Sequence, residues 1–282
     1  MKKFLVIAIF NLFIFGTTVS AKEKIKWLVI HWPPFQMLSG ADKGMGRFDA
    51  MLNLYRQNLP QYDHQTIEMN WARFWSDLKK GEKVCSTFAI KTKERQQFAV
   101  FSKVISFGLP LRIIMSRSNI SKLGNPGMIS LTDLLEDSRF KGVFVEKRSY
   151  YAHVDKILKE HDKNIYFMAI EDQNVIQTLL SGRIDYTLEY PYLANYLAEK
   201  YQSKYKSKLG SIGVKELTDF ATSYLACPKN EWGYQVIRDF DIMLKKVKPT
   251  DTYLKIMQIG HTDPNELEII KEGFEKAFLQ ME

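Results

Sequence analysis

The chain has 282 residues and a formal charge of +8, from 40 Lys and Arg against 32 Asp and Glu. Its basic residues occur singly or in short groups such as Lys204-Tyr205-Lys206-Ser207-Lys208, interspersed with acids. That dispersal argues against a nucleic-acid binder, whose basic residues concentrate on one face with interleaved aromatics, and leaves room for mild steering of anionic ligands.

Residues 1–21 place Lys2 and Lys3 before an apolar run over 4–15 and the small-residue ending Val19-Ser20-Ala21. This is the pattern of a secretory signal cleaved after Ala21. The run is shorter than the roughly 20 residues a spanning helix needs, which makes a retained membrane anchor the weaker alternative. No cysteine follows the cleavage site to carry an acyl anchor, so the expectation is a free periplasmic protein beginning at Lys22.

Lys26-Trp27-Leu28-Val29-Ile30-His31 reads as a buried strand that ends in a loop at Trp32-Pro33-Pro34. Residues 49–59 have helical spacing, with Met51, Leu52, Leu54 and Tyr55 apolar and Pro60 closing the run. The preceding Gly44-Met45-Gly46 lacks the third glycine of a dinucleotide loop. Residues 67–71 alternate as a strand, 72–80 read as a helix ended by Gly81, and 84–88 are again extended. Strands and helices in alternation predict an α/β layer structure.

In Lys91-Thr92-Lys93-Glu94-Arg95, Thr92 reads as a helix N-cap and Arg95 falls in the first turn. The positive end of a helix dipole gives an arginine no support there. Two readings stand: a guanidinium fork set beside free N–H groups to receive an anion, or a surface arginine paired with Glu94 or another acid.

A second unit of the same kind follows. Residues 109–115 read as a strand and Ser130 caps a helix over 131–137. Strands at 142–145 and 165–168 flank a helix at 151–160. A helix at 174–180 ends at Gly182, and a strand over 184–188 enters the loop Glu189-Tyr190-Pro191. Residues 224–228 are extended and 231–247 long and amphipathic. A return crossing near 218–222 divides the chain into 22–110 plus 218–282, and 111–217. Asp263-Pro264 opens a final helix with Leu267, Ile270, Phe274 and Phe278 on one face, to dock on the first unit or on a partner.

Cys85 and Cys227 are the only cysteines. An oxidising compartment favours a bridge between them, and two buried, inert thiols are the alternative. A bridge would tie a late segment of the chain back onto an early one. The five histidines, at 31, 64, 153, 161 and 261, show no metal-ligand spacing. No Gly-x-Ser-x-Gly nucleophile motif occurs.

The succession Trp32-Pro33-Pro34-Phe35, Gly44-x-Gly46 before a helix, Thr92-Lys93-Glu94-Arg95 running to Phe101-Ser102, and Ser181-Gly182-Arg183-Ile184-Asp185 resembles the family 3 extracellular solute-binding proteins. The resemblance implies a periplasmic-binding-protein-like (type II) fold of two α/β lobes joined by two hinge crossings. It also implies a monomer, without cofactor or metal, that closes on a small carboxylate-bearing ligand and delivers it to an inner-membrane permease. By position, Arg95 matches the arginine that clamps the ligand's carboxylate, a bidentate task that lysine cannot perform, and Thr92 matches the residue opening that turn. Phe35, with Trp32, matches an aromatic that packs on the ligand, core packing being the alternative. Ser149 falls where the second lobe offers a hydroxyl and backbone N–H groups to the same carboxylate, a helix N-cap being compatible with that. Ile90 and Tyr150 join the same ligand-binding set.

Two departures stand out. Tyr190 occupies the position of the aspartate that holds an amino acid's ammonium, with Glu189 as a neighbouring substitute only if the loop turns there. Arg148 stands where glycine is usual. These put an α-amino acid in doubt and leave an anion with an aromatic or planar part. Two other functions fit the same residues: a dehydratase-like enzyme using Glu189, His31 or Tyr190 as acid or base, and a sensing module that reports ligand occupancy to a membrane partner.

Overall fold

In the computed structural model, residues 22–281 are described, except 147, 169–171, 202–207 and 262–263. The expected signal segment, most of the basic group at 204–208 and the helix-opening Asp263 lie outside the described residues.

The first part of the chain builds β1 (Glu23–Val29), α1 (Arg47–Asn58), β2 (Tyr62–Glu68), α2 (Trp71–Lys79), β3 (Val84–Ala89) and β4 (Ala99–Gly108). It then crosses to β5 (Arg112–Ser116), α3 (Arg117–Lys122), β6 (Met128–Ile129), α4 (Leu131–Glu136), β7 (Gly142–Val145) and α5 (Ala152–Glu160). After β8 (Ile165–Met168), α6 (Asp172–Leu180), β9 (Tyr186–Glu189), α7 (Pro191–Tyr201) and β10 (Leu209–Val214), it returns through β11 (Ala221–Pro228). Three helices follow, α8 (Glu231–Val247), α9 (Asp251–Gln258) and α10 (Pro264–Lys276).

Two sheets result, ordered β2-β1-β3-β11-β4 and β6-β10-β5-β9-β7-β8. β1 runs parallel to β2 and β3, whereas the returning β11 inserts antiparallel between β3 and β4. That insertion sets Cys85 on β3 beside Cys227 on β11, with Cα atoms 4.5 Å apart and a disulfide between them. The chain passes between the sheets twice, through residues 109–111 and 215–220.

The elements follow from their patterns where the patterns are plain. All six residues of β3 are buried, the small polar Ser86 and Thr87 included, as suits the central strand of its sheet. α8 buries Val236, Ile237, Phe240, Met243, Leu244 and Val247 along one stripe, with Asn230 accepting from the Gly233 N–H at its start. Three expectations are corrected. The segment at Arg95 is a single 3-10 turn, Arg95–Gln97, and not a helix, because the buried strand β4 begins at Ala99. The strand expected over 67–71 ends at Glu68, since Asn70 accepts from the Arg73 N–H and caps α2. The strand expected from 109 starts at Arg112, residues 109–111 being the crossing.

The C-terminal α10 buries Ile270 and Phe274, and the turn after it buries Phe278. Phe278 stacks on Phe107 of β4 at 4.8 Å, so this apolar face is used within the chain. No helix among the described residues is long and apolar enough to cross a membrane.

Candidate functional site

A cavity of about 820 Å³ opens between the two sheets. Its walls include the segments that leave the carboxyl ends of β1, β2, β3, β7 and β9, the end of β4 with the first crossing at Gly108, Leu109 and Leu111, and the start of β11 at Ala221, Thr222 and Ser223. Crevices outside the carboxyl ends of parallel strands are where α/β sheets bind ligands, because the loops there converge without being committed to the sheet.

Arg95 lines this cavity. Its backbone N–H donates to Thr92 Oγ1 at 3.2 Å, its side chain donates to the Ile90 carbonyl at 2.8 Å, and its guanidinium lies 4.3 Å from the Trp75 ring centroid. These contacts fix the fork but leave most of its donors unused. Among the described residues no carboxylate forms an ion pair with it, Glu94 included. Burial pulls its pKa down to about 10, against the opposing charges of Asp155 and Glu94. Thr92 itself does not line the cavity, whereas Ile90 does.

The aromatic wall is set by the loop after β1. Trp32 and Gln36 exchange backbone hydrogen bonds at 2.9 Å, and Phe48 N–H donates to the Phe35 carbonyl at 2.8 Å. Asp49 accepts from the Met37 and Gly46 N–H groups, binding the loop to the start of α1. Here the Gly-x-Gly pair has its use: Gly44 has φ +80, and a Cβ on Gly46 would collide with the Phe35 carbonyl. Trp32 stacks on Phe35 at 4.2 Å, and both line the cavity while packing into the core.

On the second sheet, the loop after β7 carries Arg148 and Ser149 on the cavity wall. The expected ligand donors there are committed within the chain. Ser149 Oγ donates to Asp155, and the Tyr150 N–H donates to the same carboxylate at 2.6 Å. Burial raises the Asp155 pKa above the usual carboxylate range despite those bonds and Arg95. Tyr151, not Ser149, is the N-cap of α5, and its φ of 75 is a strained conformation for a tyrosine. Tyr150 is a core residue, 1% exposed, and its hydroxyl accepts from the Val145 N–H at 2.9 Å. Glu189 is the last residue of β9 and does not reach the cavity. It holds Arg148 in a bidentate pair, with the second bond at 3.0 Å, and accepts from the Tyr190 N–H at 2.8 Å. Tyr190 does line the cavity, packs edge-on against Phe35 at 5.4 Å, and has its phenol pKa raised by burial.

No family model and no curated sequence matches this chain. Solved structures do. One, from work on glutathione import through a cystine ABC importer of Streptococcus mutans, aligns with a TM-score of 0.68 at 14% identity, covering 88% of this chain and 96% of its own. A putative L-cystine ABC transporter protein from Listeria monocytogenes aligns at 0.65 and 20% identity, covering 84% and 96%. A histidine kinase sensor domain with similarity to periplasmic binding proteins aligns at 0.66 and 14% identity, covering 83% and 93%. The chain has the two-lobed fold of the periplasmic solute-binding proteins.

Within this solute-binding fold the cavity gathers Arg95, Ile90, Phe35, Trp32, Ser149 and Tyr190, and leaves out Thr92, Tyr150 and Glu189. It also gathers residues that the sequence reading passed over, chiefly Arg47, Trp71 and Tyr192. Arg47 was legible: it stands at the positive start of a helix, directly after the Gly-x-Gly pair. Tyr192 was hidden because the loop at Glu189-Tyr190-Pro191 turns at once into α7, with Pro191 as its first residue. Of the acid–base candidates, His31 accepts at Nδ1 from the Leu38 N–H at 3.1 Å, and Glu189 is held by Arg148. Asp185, at the end of the Gly-Arg-x-Asp motif, accepts from Asn119 and from the Lys141 N–H and so braces the second sheet.

Proposed function

We propose that this chain is an exported, monomeric binding protein that closes on a small carboxylate-bearing solute and hands it to an inner-membrane importer. Residues 22–110 with 218–282 form one lobe and 111–217 the other, hinged at the two crossings. Arg95 holds the carboxylate and the Trp32–Phe35 wall packs on the remainder. The observation that carries the reading is a guanidinium fixed by Ile90 and Trp75, without an ion-pair partner among the described residues, on the wall of a large cavity. A bidentate carboxylate is the group that matches such a fork. Structural neighbours from amino-acid ABC importers support a transport role. The signal-like pattern of residues 1–21 supports export.

The ligand need not be an α-amino acid. The two carboxylates on the cavity wall, Glu68 and Glu146, are both exposed, and Glu189 is engaged by Arg148. Titration calorimetry across a panel of metabolite carboxylates tests the reading. A member of the panel binds the native protein, and Arg95→Ala weakens that binding by on the order of 2–5 kcal/mol. Unchanged binding by Arg95→Ala removes the clamp. A second role, sensing for a membrane kinase, has the support of a neighbour that is a histidine kinase sensor domain. A permease or a kinase as the physical partner in a cross-linking experiment separates the two.

A further inference from the structure

Arg47 is the first residue of α1 and is only 3% exposed. It gains nothing from its own helix, whose N-terminal end is already positive. Its terminal nitrogens donate to the carbonyls of Phe107 at 3.4 Å and Ile259 at 3.1 Å. Ile259 closes the C-terminus of α9, so the negative end of that helix offsets part of the charge. Nε remains buried without a partner, and no carboxylate among the described residues pairs with this guanidinium. A guanidinium cannot escape by losing its proton, and a buried cation without an anion is costly. Arg47 lines the same cavity as Arg95.

The two arginines stand at the two ends of one unbroken series of ring contacts. Arg95 lies over Trp75, which stacks on Trp71, and Trp71 meets Phe88 edge-on at 5.2 Å. Phe88 stacks on Phe48 at 4.6 Å, Phe48 on Phe35 at 5.7 Å, and Phe35 meets Tyr192 at 4.8 Å. Arg47 lies 5.8 Å from the Tyr192 centroid. All but Trp75 line the cavity. The third arginine on the wall, Arg148, is matched by Glu189 and adds little net positive charge.

We infer that the ligand is an aromatic molecule with two anionic groups, one on Arg95 and the other on Arg47, its ring lying along the aromatic wall between them. The inference rests on the binding-protein reading above and specifies the ligand of that same site. A cavity of about 820 Å³ is within the usual range for a drug-sized molecule. Arg47 completes its hydrogen bonding only when the second anion is present, which makes that end of the site selective against monoacids.

The test uses the intact protein and three matched pairs in calorimetry: benzoate with terephthalate, 2-naphthoate with naphthalene-2,6-dicarboxylate, and biphenyl-4-carboxylate with biphenyl-4,4′-dicarboxylate. At least one diacid binds about tenfold or more tightly than its monoacid, and Arg47→Gln abolishes that preference while Arg47→Lys retains part of it. The ratio in the native protein stands even where Arg47→Gln does not fold. Monoacids and diacids that bind alike, both lost in Arg95→Ala, overturn the inference and leave the carboxylate clamp intact. Failure of all six probes also overturns it, and the metabolite panel with Arg95→Ala then decides the clamp separately. A preserved diacid preference in folded Arg47→Gln assigns Arg47 to bracing α9 alone.

Discussion

At the scale of single residues, the two departures from the solute-binding pattern turn out to be partners. Arg148, in place of a glycine, and Glu189, beside the position of the missing aspartate, form one bidentate pair whose side chains are 12% and 4% exposed. Removing one member of such a pair strands the other charge, so Glu189→Gln lowers the unfolding free energy by about 3–5 kcal/mol, and adding Arg148→Gln recovers most of it. Urea unfolding of the two variants measures this. His261 carries a different prediction. Burial lowers its pKa, with Arg47 acting in the same direction and the Glu266 carboxylate, 2.8 Å from Nδ1, opposing. The native state therefore favours the neutral ring, while the unfolded chain binds its proton near pH 6.5. That contribution to stability is intact above about pH 6.5 and is lost as the pH falls through the lower native value. The urea midpoint of the native protein falls between pH 7.5 and 5.5 by more than that of His261→Gln. Equal falls refute the assignment. Arg95 was legible because an arginine at a helix-like start is anomalous, whereas the pairing of Arg148 with Glu189 was not. Their side chains meet across 41 positions of sequence, and nothing local to either residue records it.

At the scale of elements, legibility followed pattern strength. The buried strand β3 and the long stripe of α8 declare themselves in sequence. β10 did not: Leu209–Val214 contains two glycines, which weaken any strand signal, and tertiary packing against β5 overrides that weakness. β4 was obscured because the motif at Arg95 runs straight into it, so a 3-10 turn followed by a strand looks like the start of a helix. The disulfide is the clearest link between elements. It joins β3 to β11 across 142 positions of sequence, holding the returning strand in the first sheet. Replacing Cys85 and Cys227 together by alanine lowers stability by about 2–5 kcal/mol. Reductant in the urea titration of the native protein produces a loss of the same size and none in the double variant. An equal reductant effect on both would contradict it.

At the scale of the molecule, the two sheets already share packing across the cavity. Phe35 on the first side meets Tyr190 and Tyr192 of the second at 5.4 and 4.8 Å. One apolar cluster runs through both. Tyr192 also meets His261 at 4.6 Å, and the Tyr196 hydroxyl lies 3.9 Å from Met37 Sδ, so the cavity is framed by segments far apart in sequence. Two-lobed architecture was therefore readable from the excursion and return of the chain, while the composition of the cavity depended on which side chains the fold brings together. The claim on which the whole account turns is that the Arg95 guanidinium receives the ligand's carboxylate inside that cavity. A crystal structure of the protein with the carboxylate it binds in the calorimetric panel, or retains through purification, decides this. The expected result is a carboxylate in bidentate contact with Arg95 at about 2.7–2.9 Å, with the ligand's apolar part against Trp32 and Phe35. A ligand seated elsewhere, or one in this cavity with its carboxylate away from Arg95, contradicts it.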